Sequence, residues 1–153
     1  MYVVTVVLLL LILPAASVVV EALRVGGTLD IMLLIGKWFV FWGVGVRLFI
    51  AGVRQVLQPQ FTAESIFEIK DRGAFAIVRE VGFGNLAMGT LGLATLAKSG
   101  FLVPAAIVGG LYYGLAGAGH ILRGGLNLQG WTAMISDLFM FIVLAGFVAC
   151  RGF

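Results

Sequence analysis

Charge is scarce in this chain. Only 11% of its 153 residues are Asp, Glu, Lys or Arg, where a soluble domain carries about a quarter. That deficit excludes an ordinary water-soluble fold, and 61% hydrophobic residues with a mean hydropathy of +1.13 point to an integral membrane protein. Cysteine is nearly absent too: Cys150 stands alone, so no internal disulfide forms. With His120 the sole histidine, no tetrahedral Cys/His zinc site can be assembled, and no metal is expected. The net charge of +3 is small and spread between loops, which argues against nucleic acid as a partner. No phosphate-binding loop is present, and the GVGVRL run from Gly43 to Leu48 lies in an apolar span, where a dinucleotide fingerprint cannot work. Ser136, His120 and Asp137 could nominally form a hydrolase triad. Ser136 and Asp137 are neighbours on one helix, however, and point about 100° apart.

Long apolar runs fill the rest. The reading is an all-α, polytopic transmembrane bundle, a single transmembrane domain over residues 1–153, with five spans near 2–20, 31–57, 80–97, 101–122 and 131–149. The first run lacks a basic leader and a good cleavage site, so it reads as a retained helix, kinked near Pro14. Gly26 and Gly27 suit a turn into the second span. Between the second and third spans, residues 58–78 form the sizeable polar segment. Pro59 ends a helix there, Thr62 is a plausible N-cap, and Ile66, Phe67 and Ile69 among Glu64, Glu68 and Lys70 suggest a short interfacial helix. That helix reads as a connector resting on the bilayer or as a lid over an opening in the bundle.

The small and polar residues follow helical register. Gly82, Asn85, Gly89 and Gly92 fall at steps of three and four, as do Gly110, Tyr113, Gly117 and His120, and Gly110 with Gly114 makes a small-xxx-small pair. These glycines are the expected helix-packing positions. Arg47 lies about 15 Å inside the second span, a depth that is costly unless the group is paired or faces a wet cavity. Arg54 follows seven residues later on the same face. Glu80 opens the third span, and Asp137 sits near 9 Å into the last.

The basic residues suggest an orientation. Arg54, Lys70, Arg72, Arg79 and Arg123 fall on the side of the amino terminus; Arg24, Lys98 and Arg151 fall on the other, with Lys37 closer to it. The amino terminus is then cytoplasmic and the carboxyl terminus outside. In that topology Arg47, Arg54, Glu80, Asn85, His120 and Asp137 share one half of the membrane. Their simplest arrangement is one polar cluster, with Arg47 or Arg54 paired to Glu80 or Asp137. It serves either as structural glue, as a pocket for the head group of a lipophilic molecule with Tyr113 in its wall, or as an ion or proton path.

Three blocks carry a resemblance: KWFVFWGVGVRLFIAG from Lys37 to Gly52, EVGFGNLAMGTLGL from Glu80 to Leu93, and GLAGAGHI from Gly114 to Ile121. They resemble an uncharacterised family of bacterial membrane proteins, a domain of unknown function, over about residues 37–147. More distantly, the last four spans are similar to the DoxX-like four-helix membrane proteins, with the first helix as an addition. That resemblance implies the bacterial inner membrane and a connection with quinones or lipids, some DoxX-like proteins being associated with quinone-using membrane oxidoreductases. No cysteine pair for thiol chemistry is present. The readings that stand are a subunit that holds a quinone, lipid or pigment or buttresses a larger membrane complex, in contact with other subunits or its own copies; an enzyme acting on a lipophilic substrate through Glu80, His120 or Asp137; and an ion pathway. The first is favoured and an enzyme is the less expected case. No internal repeat or pair of broken helices of the transporter kind is visible.

Overall fold

A computed structural model describes residues 2–25 and 30–151. Everything regular in it is helical, and among the described residues there is no strand. We number the helices α1 (Tyr2–Val25), α2 (Ile31–Leu57), α3 (Gly73–Ala94), α4 (Ser99–Arg123) and α5 (Leu128–Arg151). Four of them, α1, α2, α4 and α5, are long and apolar enough to cross a membrane. α3 is 22 residues long and carries Arg79 and Glu80, both exposed, within its first half.

Two helices depart from α geometry. In α1 the stretch Leu8–Ile12 is π-helical, with the Leu13 N–H bonded to the Leu8 carbonyl. Pro14 lies just beyond it; a proline supplies no N–H and crowds the carbonyl four residues back, so a wider turn relieves both conflicts. In α2 the π-helical stretch is longer, Val40–Arg47. It has no proline, and one of its carbonyls, that of Gly43, accepts the Tyr113 hydroxyl at 2.5 Å.

α2 is the hub. It packs on α1, α3, α4 and α5, and α4 packs along α5. The seam between α2 and α3 is close because glycines face glycines: a Cβ on Gly92 would lie 2.6 Å from Gly45 Cα, and one on Gly52 would lie 2.8 Å from the Gly82 carbonyl oxygen. A Cβ on Gly89 would meet Phe49 Cα at 2.7 Å. Along α4, Gly114 and Gly117 receive Phe141 and Leu138 of α5, while Gly110 has ordinary contact with Leu144. The interior of this bundle is Leu10, Val40, Val44, Leu48, Met140, Leu144 and Phe147. Large apolar side chains also cover the outside, with Leu23 81%, Leu115 74% and Ile142 68% exposed. Such a surface is costly in water and natural in lipid.

Several expected boundaries move. α3 begins at Gly73, not near residue 80, and ends at Ala94; α1 runs through Glu21 to Val25. α4 and α5 are each longer than expected by a few residues at their ends. Gly26 and Gly27, expected to turn the chain, lie outside the described residues. The polar segment does not hold the expected surface helix over Ile66 to Lys70. The chain after Pro59 instead forms a π-helical turn, Phe61–Ile66, in which Thr62 is buried and caps nothing. Glu68 ends it with φ +60°, a left-handed conformation that non-glycine residues seldom adopt.

Candidate functional site: a polar cavity at one end of the bundle

The ends of the bundle differ chemically. At one, Lys37 Nζ donates to both carboxylate oxygens of Glu21, at 2.7 and 2.8 Å, and Trp38 Nε1 joins at 2.6 Å. Arg151 pairs with Asp30 at 2.6 Å at the same end. These groups neutralise one another near the surface. The other end holds a cavity of about 360 Å³ with a mostly apolar wall. That is within the size range of small-molecule sites, which runs from about 300 to 1,000 Å³. Its wall includes exposed residues, among them Thr5, Ile50, Arg54, Phe67 and Val81.

Five of the seven candidate polar residues line this cavity: Arg47, Arg54, Asn85, His120 and Asp137, contributed by α2, α3, α4 and α5. Arg47 stands at the end of the π-helical stretch, its guanidinium 3.8 Å from Asp137 Oδ1 and 3.5 Å from Ser136 Oγ. It also lies 5.7 Å from the centroid of the Tyr113 ring. Tyr2 and Tyr113 also share side-chain hydrogen bonds with the guanidinium, so its five donors are divided among Asp137, Ser136 and the two tyrosines. Arg54 is exposed and stacks on Phe61 at 3.4 Å. Asn85 is 1% exposed and donates from Nδ2 to Gln55 Oε1 at 2.7 Å. His120 is 7% exposed, with its ring stacked on Phe67 at 5.7 Å between centroids.

The remaining two lie elsewhere. Glu80 is exposed on α3 and outside the cavity wall, so neither arginine pairs with it. The helix starts seven residues before it, so Glu80 does not open the span as expected, and it faces outward because it lies about 200° around the helix from Gly82, which packs on α2. Tyr113 is fully buried behind Arg47, with its hydroxyl spent on Gly43, and its neighbour Tyr112 lines the cavity. Which of two adjacent tyrosines faces inward depends on helix phase, and one residue is a rotation of about 100°.

Sequence reasoning also passed over Tyr2 and Gln55, both in the wall, and placed Phe67, also in the wall, in the segment read as a connector or a lid. Tyr2 looked like the start of a greasy run, and Gln55 gains meaning only once the α2–α3 contact places it beside Asn85. The Phe61–Phe67 segment closes one side of the cavity and is tied down from the far side of the chain. Arg123 Nη2 donates to the Ile66 carbonyl at 3.0 Å and Asn127 Nδ2 to that of Ser65 at 3.0 Å. Arg123 also lies 5.1 Å over the Phe67 ring.

An all-helical bundle with an apolar exterior and a polar chamber at one end is that of a multi-pass membrane protein. Its sequence belongs to a family of unknown function, DUF6790, which matches residues 1–150. No curated protein and no solved structure matches the chain.

Proposed function

We propose that the cavity holds the polar head of a lipophilic small molecule, a lipid, quinone or pigment, and that the protein acts as a binding protein or small subunit of a membrane complex. One observation carries this reading: Arg47, Arg54, Asn85, His120 and Asp137 converge from four helices on one mostly apolar chamber. A lipophile needs that combination, since its tail leaves water for an apolar wall while a few fixed polar groups orient its head. Arg47, in the wall, offers a cation to a carbonyl or anion. The tail leaves beside Ile50 and Val81, toward lipid. In this reading α3 crosses the membrane with the other four helices as one domain, and the cavity end is cytoplasmic. The distant DoxX-like likeness supports the quinone or lipid connection and the inner membrane of a bacterium.

A second reading, acid/base chemistry on a lipophilic substrate, is favoured by His120 and Asp137 lining the same chamber. Native mass spectrometry of the protein gently extracted from its own membrane tests the proposal. A stoichiometric small molecule that is retained by the native protein and lost from His120→Ala, with folding unchanged, supports the site. A ligand-free mass throughout, or equal retention in both proteins, counts against it.

A further inference from the structure

Two buried polar atoms at the wall of the cavity have no hydrogen-bond partner among the described residues: Asn85 Oδ1 and His120 Nδ1. They come from different helices, α3 and α4, yet line one chamber. Asn85 already uses its Nδ2 on Gln55, which leaves the carbonyl oxygen as the unused half of the amide. The Tyr112 oxygen also shares a side-chain hydrogen bond with this residue, accepting from the amide, which leaves Asn85 Oδ1 still without a donor. A buried acceptor without a donor is costly by about 1–3 kcal/mol, so such an atom marks a place where something with an N–H or O–H belongs.

We infer that the molecule held in this cavity carries a hydroxyl in its polar head, and that this O–H donates to Asn85 Oδ1. This deepens the proposed function and rests on it. The chamber's polar groups select among head groups by simple valence. A phosphodiester or a carboxylate would satisfy Arg47 and Arg54 but has no proton to give Asn85. A quaternary ammonium has no N–H and would face two guanidinium groups. A hydroxylated head, such as a phenol or a diol, serves both sides: its oxygen accepts from a guanidinium or from a protonated His120 nitrogen, and its hydrogen goes to the amide.

The test uses a matched pair of probes, 4-dodecylphenol and its O-methyl ether 4-dodecylanisole, offered together at equal concentration to the full chain in mild detergent and read by native mass spectrometry. Ring, tail and oxygen are common to both, so the O–H is the variable. The native protein should prefer the phenol by about tenfold, the scale of one net hydrogen bond. In Asn85→Leu the preference should fall close to one while the anisole still binds. Equal binding of both probes by the native protein overturns the inference and leaves the cavity reading standing, with a water as the partner of the amide. A preference that survives in Asn85→Leu overturns it as well, because the hydroxyl is then read elsewhere. If neither probe binds, the cavity reading and the inference fall together. Where Asn85→Leu does not fold, Asn85→Ala is read in the same competition in its place.

Discussion

Arg47 concentrates the energetic problem of this protein in one residue. An arginine in a low-dielectric interior must be paired or wet, and here it is both: Asp137 lies at 3.8 Å and the cavity at its other side. Removing one partner leaves the other as an uncompensated charge. Arg47→Leu and Asp137→Leu should therefore each lower stability in detergent by about 3–5 kcal/mol, and the double variant should lose far less than their sum. Melting of the three variants in one detergent checks this. Additive losses would mean that Arg47 is held by Tyr113 and Ser136 and not by the carboxylate. The need for such a partner was legible in the sequence, because the depth of Arg47 follows from counting residues along a span. Its identity was not, since counting places Glu80 and Asp137 at similar depths and says nothing about position around each helix. Helix phase decides it: Glu80 lies two residues, about 200°, from Gly82, which packs on α2, and so points outward.

At the scale of elements, the seam between α2 and α3 sets the shape of the chamber. Gly45 and Gly52 on one helix meet Gly92 and Gly82 on the other, and what presses hardest on the missing Cβ atoms of Gly45, Gly52 and Gly92 is backbone, which cannot swing aside as a side chain can. Gly92→Ala should therefore force the helices apart and cost about 1–3 kcal/mol, the scale of overpacking. Gly84 lies on the same helix with nothing within 4 Å of the Cβ position. Gly84→Ala should be neutral or stabilising by up to about 1 kcal/mol, as helix propensity alone dictates. Paired thermal melts distinguish the two, and equal responses would remove close backbone approach as the organising contact. The glycine spacing of this seam can be read in the chain because a helix has one period. The helix starts cannot: α3 begins at Gly73 with no side-chain cap from Arg72, and Asp71 instead accepts from the Gly73 N–H at 2.9 Å. The π-helical stretch of α2 is equally silent, as Val40–Arg47 reads like any apolar helix until Tyr113 is found on the Gly43 carbonyl.

For the whole molecule the question is how many times the chain crosses the membrane. α1 and α2 return the chain to its starting side, so residues 58–72 lie at the end where Tyr2 lines the cavity. Arg151 meets Asp30 at the opposite end, where α1 gives way to α2. If α3 crosses as proposed, three helices carry the chain between residue 72 and residue 151 and leave it on the side opposite its start; if it does not, α4 and α5 return it to the same side. Two charged residues on α3, Arg79 and Glu80, weaken its apolar signal without changing this geometry, and both sit in the half of the helix nearer the polar end. The single cysteine makes the crossing measurable, because Cys150 is exposed beside Arg151. In oriented vesicles an impermeant maleimide should reach native Cys150 from one side only. It should reach Lys70→Cys, placed in a Cys150→Ser background, from the other side only. If α3 lies along the surface or turns back within the membrane, α4 and α5 carry the chain across and back, and both cysteines label from the same side. That outcome would leave a four-crossing protein in which the seam of glycines joins a spanning helix to one that does not span, and the cavity would open to water more than to lipid.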